Sequence, residues 1–241
     1  MKLSIDGQSV EPRTGQSILD IIRELGLDSD RLSTRPLAAK IAGEVFTLNY
    51  VPVRQKDAAA DRVSIRRAMA ASDGQIELLR FTDPSGRETY KRTAQFIIFL
   101  ALRQLWPNAV GKMNCTVGSG LFISVTGAND FSAEKVKNRI CDLVAQDIPL
   151  IRRRVSTQDA EAYYRMDGQV DKAELLRWRT VDYFDEYVHS DYADYFYGEM
   201  MPSTAYMQVW DVVSAPGGFM FIYPDDQNPD RVADYRESPN F

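Results

Sequence analysis

The sequence predicts an α+β protein built in two parts, and three observations carry that prediction. Short alternating strands bracket one amphipathic helix within the first 68 residues. Residues 87–107 then read as one long helix, followed by alternating strands and further capped helices. The chain is 44% apolar and 26% charged over 241 residues, which is enough material for one large or two modest cores.

The first part is justified element by element. Residues 2–5 alternate polar and apolar, Asp6-Gly7 is a turn signal, and residues 9–11 return as a hairpin strand. Thr14-Gly15 breaks the chain. Ser17 caps a helix with Ile18, Ile21, Ile22 and Leu25 on one face, and Gly26 closes it. Residues 36–41 and 44–48 are short strands joined by Ala42-Gly43, and residues 62–65 supply a last alternating strand. Two strands, a helix and further short strands make the pattern of a β-grasp fold in residues 1–68.

The second part, residues 69–225, opens with a strand at 75–81. A turn at Asp83-Pro84-Ser85-Gly86 leads into the long helix, whose apolar content is Phe96, Phe99, Leu100, Leu102 and Leu105. Gly118-Ser119-Gly120 leads into a strand at 121–125. Ser132 caps a second helix carrying Val136, Ile140, Leu143 and Val144, which Pro149 ends. Residues 151–155 are a strand with interleaved arginines. Helices follow at 157–164 and 172–179, and residues 210–214 and 218–223 form a hairpin across Ala215-Pro216-Gly217. From 224 to 241 the chain is polar and proline-punctuated, and 226–241 is expected to be a linker or extended arm.

Composition narrows the function. A net charge of −5 disfavours a dedicated nucleic-acid binder, although Arg152, Arg153 and Arg154 form a local basic run. Cys115 and Cys141 are not in a C-x-x-C pair and read as reduced core residues. With one histidine, His189, the chain lacks the usual ligand set for zinc. The longest apolar run, residues 96–102, is far short of the roughly 20 residues of a membrane span, so a cytoplasmic protein with no membrane partner is expected. The aromatic and acidic stretch 182–197 reads as strands packed on helices, with an aromatic recognition surface as the alternative. Ser119 between two glycines lacks the G-x-S-x-G spacing of a nucleophile elbow and reads as a turn. Met200-Met201 reads as core filling.

Two blocks of sequence carry a resemblance. Gly15-Gln16-Ser17-Ile18-Leu19-Asp20, Leu37-Ala38-Ala39-Lys40-Ile41 and Gly43-Glu44-Val45 resemble the TGS domain, a β-grasp module of threonyl-tRNA synthetases and several GTPases. Gln104-Leu105-Trp106-Pro107, Gly120-Leu121-Phe122, and Tyr197-Gly198 followed by Pro202, with the order of elements, resemble the second additional domain of threonyl- and alanyl-tRNA synthetases. The run from Asp194-Tyr195-Phe196-Tyr197-Gly198 to Pro202-Ser203-Thr204-Ala205-Tyr206 is similar to bacterial nucleoside kinases of the phosphoribulokinase/uridine kinase family, which carry both domains ahead of a P-loop kinase domain. This chain contains no G-x-x-x-x-G-K-[ST] loop. The resemblance therefore implies a kinase domain beyond Phe241, to which ATP and magnesium would belong. No cofactor or metal is expected in the 241 residues themselves.

The resemblance also implies where a site would lie. Synthetase editing domains use four His/Cys positions, which fall here at Arg92, Phe96, Phe196 and Met200. None of these side chains activates water for ester hydrolysis. Lys172 and Asp194 match a pocket lysine and aspartate, so a degenerate cleft of Arg92, Phe96, Lys172, Asp194, Phe196 and Met200 is expected to bind a small nucleoside or amino-acid-like ligand, or to be held as plain ion pairs. The implied function is a non-catalytic regulatory or ligand-binding region of an ATP-dependent, uridine-type nucleoside kinase, with that kinase domain as its partner. The alternatives are a stand-alone trans-editing aminoacyl-tRNA deacylase and an RNA-binding module.

Overall fold

The computed structural model describes residues 2–52 and 73–235, and the strand expected at 62–65 lies outside them. The chain is α+β and divides into two compact units, Met1–Pro149 with Gly198–Phe241, and Leu150–Tyr197. These bounds differ from the expected division at 68 and 225.

In the first unit, β1 (Leu3–Ile5) and β2 (Gln8–Val10) form the expected hairpin. Helix α1 (Ile18–Glu24) starts at a reciprocal cap: Asp20 N donates to Ser17 Oγ at 3.1 Å and Ser17 N to Asp20 Oδ2 at 2.9 Å. Its residues Ile18, Leu19, Ile21 and Ile22 are buried, as are Leu3, Ile5, Leu37 and Ile41. Strands β3 (Ala38–Ile41) and β4 (Glu44–Phe46) pair across Ala42-Gly43.

Strand β5 (Gln75–Leu79) corrects the sequence expectation. It does not enter the larger part. It is the central strand of a five-stranded sheet in the order β2-β1-β5-β3-β4, parallel to β1 and antiparallel to β3. The sheet thus runs on to Leu79. Just past β1, the Asp6 carboxylate reaches across to β5 and its exit, accepting from Leu78 N at 3.2 Å and from Arg80 Nη2 at 2.6 Å.

Helix α2 (Pro84–Leu105) begins in what the sequence suggested was a turn, because proline fits a first helical position. Gly86 is required there, since a Cβ would lie 1.9 Å from Arg80 O. Strands β6 (Val110–Val117), β7 (Gly120–Thr126), β11 (Asp211–Ala215) and β12 (Gly218–Ile222) form an antiparallel sheet in the order β11-β12-β7-β6. β6 was not anticipated; it is an exposed edge with a bulge between Met113 and Thr116, and it lacks an alternating pattern. Cys115 on β6 is exposed. So is Cys141 on α3 (Ala133–Ala145), whose buried face is Val136, Ile140 and Leu143. Neither cysteine is a core residue. Ser119 sits in the two-residue β6–β7 turn, as expected. α3 lies against α2 and β11.

Residues 200–209 join these parts. Met201 N donates to Thr93 Oγ1 at 2.9 Å. Thr204 Oγ1 accepts from Ile148 N at 2.9 Å and donates to Leu143 O at 2.6 Å. Asn49 Nδ2 donates to Pro202 O at 2.8 Å, and Tyr90 Oη to Val209 O at 2.6 Å. The Arg35 guanidinium lies 3.9 Å from the Tyr206 ring centroid.

The polar tail is no free arm as far as residue 235. Asp225 accepts from Gln227 N and Asn228 N, each at 2.8 Å, Pro224 bridges Val232, and Ala233 is buried against Met220 and Ile222. Asp230 binds Ser33 and Arg31.

The second unit is a sheet in the order β10-β9-β8, from β8 (Arg152–Ser156), β9 (Tyr183–His189) and β10 (Tyr192–Asp194), with helices α4 (Thr157–Met166) and α5 (Val170–Leu176). Its core is Ala160, Tyr164, Ala173, Leu176 and Phe184. The stretch read as aromatic strands is β9 and β10. Among the described residues no helix is long and apolar enough to cross a membrane.

Two outcomes follow from these contacts. Thr204→Val keeps the shape and removes two buried hydrogen bonds, so it should destabilise the chain by about 2 kcal/mol, read as a lower urea midpoint at unchanged slope. The backbone N–H and hydroxyl of Ser33, then Arg31, hold the Asp230 carboxyl down at about 2, from an ordinary value of 3.8. Its folded value is depressed, so its contribution is complete above about pH 4 and is lost as pH falls toward 2. Amide-exchange protection of residues 225–233, compared with the β12 core, should therefore hold from pH 7 to 5 and fall selectively below 4.

Candidate functional site

The expected site residues are divided between the two units. In the first, α2 presents Arg92 and Phe96 one turn apart. Phe96 is fully buried, and so is Met200. Arg92 Nε donates to Glu199 O at 3.1 Å and Nη2 to Thr89 Oγ1 at 3.2 Å. The guanidinium lies against Gly198, where a Cβ would come within 2.9 Å of Arg92 Cζ and where φ is +109°. Only glycine satisfies both demands. Arg92 thus ties α2 to the chain entering the 200–209 segment.

In the second unit the structure brings Lys172 and Asp194 together. Lys172 Nζ, on α5, donates to Asp194 Oδ1 at 2.5 Å. The same oxygen accepts from Tyr195 N at 2.7 Å, and Oδ2 accepts from Tyr192 Oη at 2.9 Å. Asp194 is buried and has three donors, whereas the Lys172 side chain is 42% exposed. The carboxylate therefore orients the ammonium. A lysine ammonium has three donors, and this pair uses one of them. Phe196 is half-buried two residues further on.

Sequence reasoning missed three groups around this pair. Tyr192 lies two residues before Asp194 on one strand face, a spacing that was readable. Glu186 is 1% exposed, and its Oε1 accepts from Arg153 Nε at 2.7 Å. The Lys172 ammonium lies 5.5 Å from the Tyr164 ring centroid. Burial, then the charges of Asp194 and Glu186, push the Tyr164 hydroxyl well above its usual value. Among the described residues, Tyr164 Oη and Glu186 Oε2 are buried without a hydrogen-bond partner.

The basic run faces acids. Arg153 pairs with Glu186, and Arg154 with Asp185 at 2.8 Å while lying over the Tyr183 ring. These are directly opposed β8–β9 partners. Neutralised in this way, two of the three arginines offer little to a phosphate backbone. His189 is half-exposed at the end of β9. Among the described residues no three His, Cys, Asp or Glu side chains gather as a metal site.

Comparison with known proteins gives the chain its relatives. No family model matches it. It is similar to the threonine–tRNA ligase of Clostridium kluyveri, 23% identical over 224 residues, covering 91% of this chain and 32% of that protein. The threonine–tRNA ligase of Syntrophomonas wolfei is 22% identical over 218 residues, 89% of this chain and 31% of that one. The enzyme of Burkholderia multivorans is 25% identical over 158 residues, 63% of this chain and 25% of its own length. The chain spans about a third or less of the length of the curated relatives it matches. The likeness supports an α+β architecture of the threonyl-tRNA synthetase editing kind.

The Lys172–Asp194 pair should respond asymmetrically to truncation. Asp194→Ala strands Tyr192 Oη and Tyr195 N and should cost about 2–3 kcal/mol in chemical denaturation. Lys172→Ala removes a half-exposed partner and should cost no more than about 1 kcal/mol.

Proposed function

We propose that this chain is an editing-type module that binds a small ligand and does not hydrolyse an ester. The observation that carries this reading is the occupancy of the four positions matched to the editing His/Cys set: Arg92 is committed to backbone and hydroxyl contacts, Phe96 and Met200 are wholly buried, and Phe196 is aromatic. Ester hydrolysis needs a group that positions or activates water. What remains for a ligand in the second unit is the Lys172 ammonium, held in place by Asp194, and it favours an anionic group such as an amino-acid carboxylate or a nucleotide phosphate.

A second reading, an aminoacyl-tRNA deacylase acting in trans, is favoured by the names of the relatives and by the retained Lys172–Asp194 pair. The relatives support a tRNA-directed role more than a kinase one. Service to an ATP-dependent nucleoside kinase rests on the sequence resemblance, chiefly that of residues 194–206. Within that stretch, Met201, Pro202 and Thr204 make scaffold contacts in the first unit.

Hydrolysis of seryl-tRNA by the purified chain separates the two readings. Turnover should stay at the no-enzyme background. Turnover that disappears in Lys172→Ala would replace the binding reading with the deacylase. In parallel, nucleotides and amino acids screened by thermal shift should include at least one anionic ligand that raises the melting temperature of the wild type and not of Lys172→Ala.

A further inference from the structure

Four donors converge on the Asp230 carboxylate. Ser33 N donates to Oδ1 at 2.8 Å, and Ser33 Oγ to Oδ2 at 2.7 Å. Arg31 Nε and Nη2 reach Oδ2 at 3.0 and 2.8 Å. A guanidinium fork, a backbone N–H and a hydroxyl directed at one point are the donor set by which proteins hold a phosphate group. The loop that carries them is braced without Asp230. Arg31 N donates to Ser29 Oγ at 3.1 Å, Arg35 N to Arg31 O at 2.8 Å, and Arg35 lies over the Tyr206 ring. Of the two acids on the loop, Asp28 and Asp30, Asp28 is matched by Arg23 and Arg35. Asp230 itself comes from the remote segment 224–235, whose Asp225–Arg231 pair and backbone bridge close it into a strap.

We propose that Arg31 and Ser33 form a phosphate-binding cradle, and that Asp230 occupies it as an internal stand-in, making residues 224–235 a strap over the site. The occupant is the phosphate group of a free ion or of a small monoester. A tethered carboxylate competes at an effective concentration of roughly millimolar, so the wild-type cradle stays closed to dilute phosphate. Removing the Asp230 carboxylate opens it.

The test uses the full chain and its Asp230→Ala and Asp230→Ala/Arg31→Ala variants, titrated with inorganic phosphate to about 20 mM at constant ionic strength and followed by thermal melting. Asp230→Ala should show a saturating rise of about 2–4 °C, the wild type less than half of that, and the double variant none. A parallel titration with a nucleoside monophosphate distinguishes the sources. An equal shift assigns the cradle to phosphate alone, and a larger one to a nucleotide. If Asp230→Ala melts poorly by circular dichroism, Asp230→Asn, which keeps the volume and drops the charge, takes its place in the same titration. Identical responses of folded single and double variants overturn the proposal.

Discussion

Buried N–H and C=O groups must be paired, and residues 200–209 run where an unsupported loop would strand them. The chain meets the demand with side chains from separate elements. Thr204 serves Ile148 and Leu143, Thr93 serves Met201, Tyr90 serves Val209, and Asn49 serves Pro202. Thr93 and Tyr90 belong to α2, Leu143 to α3, and Asn49 follows β4. One irregular segment thus joins the β-grasp half to the helices.

The same segment fixes the surroundings of Arg92, Phe96 and Met200. Arg92 and Glu199 hold the entrance to the segment, where the guanidinium lies against Gly198. Phe96 and Met200 fill the space beside it and are fully buried. Phe96 and Met200 are thus packing residues, and Arg92 is a cation held by backbone and hydroxyl oxygens. The chemistry left over, Lys172 on Asp194, belongs to the second unit and keeps an exposed stem.

Much of this was legible in sequence because local signals agreed with the fold. The Ser17 cap, the Asp6-Gly7 turn, the long α2 and the hairpin around Pro216-Gly217 were all read from residues a few positions apart. What was missed depended on distant partners. The alternation of β5 says strand, but nothing local says that it pairs in parallel with β1. β6 is an exposed, bulged edge without a pattern to find. Residues 224–235 have the composition of a linker, yet Asp225 and Asp230 satisfy backbone donors in a fixed loop. At the site, Lys172 and Asp194 were expected together with Arg92, either as ligand-binding groups or as ion pairs, and Lys172 pairs with Asp194. The burial of Glu186 opposite Arg153 follows from β8–β9 register, which a single sequence does not reveal.

Phe96 and Met200 are core residues of the first unit. Placing histidine at both measures how far the first unit depends on them. In a Phe96→His/Met200→His variant, urea denaturation should show a stability loss of more than about 4 kcal/mol, because two apolar side chains leave the core and two imidazoles are stranded in it. A midpoint and slope equal to the wild type would mean that Phe96 and Met200 face an open, polar cleft and are not core residues.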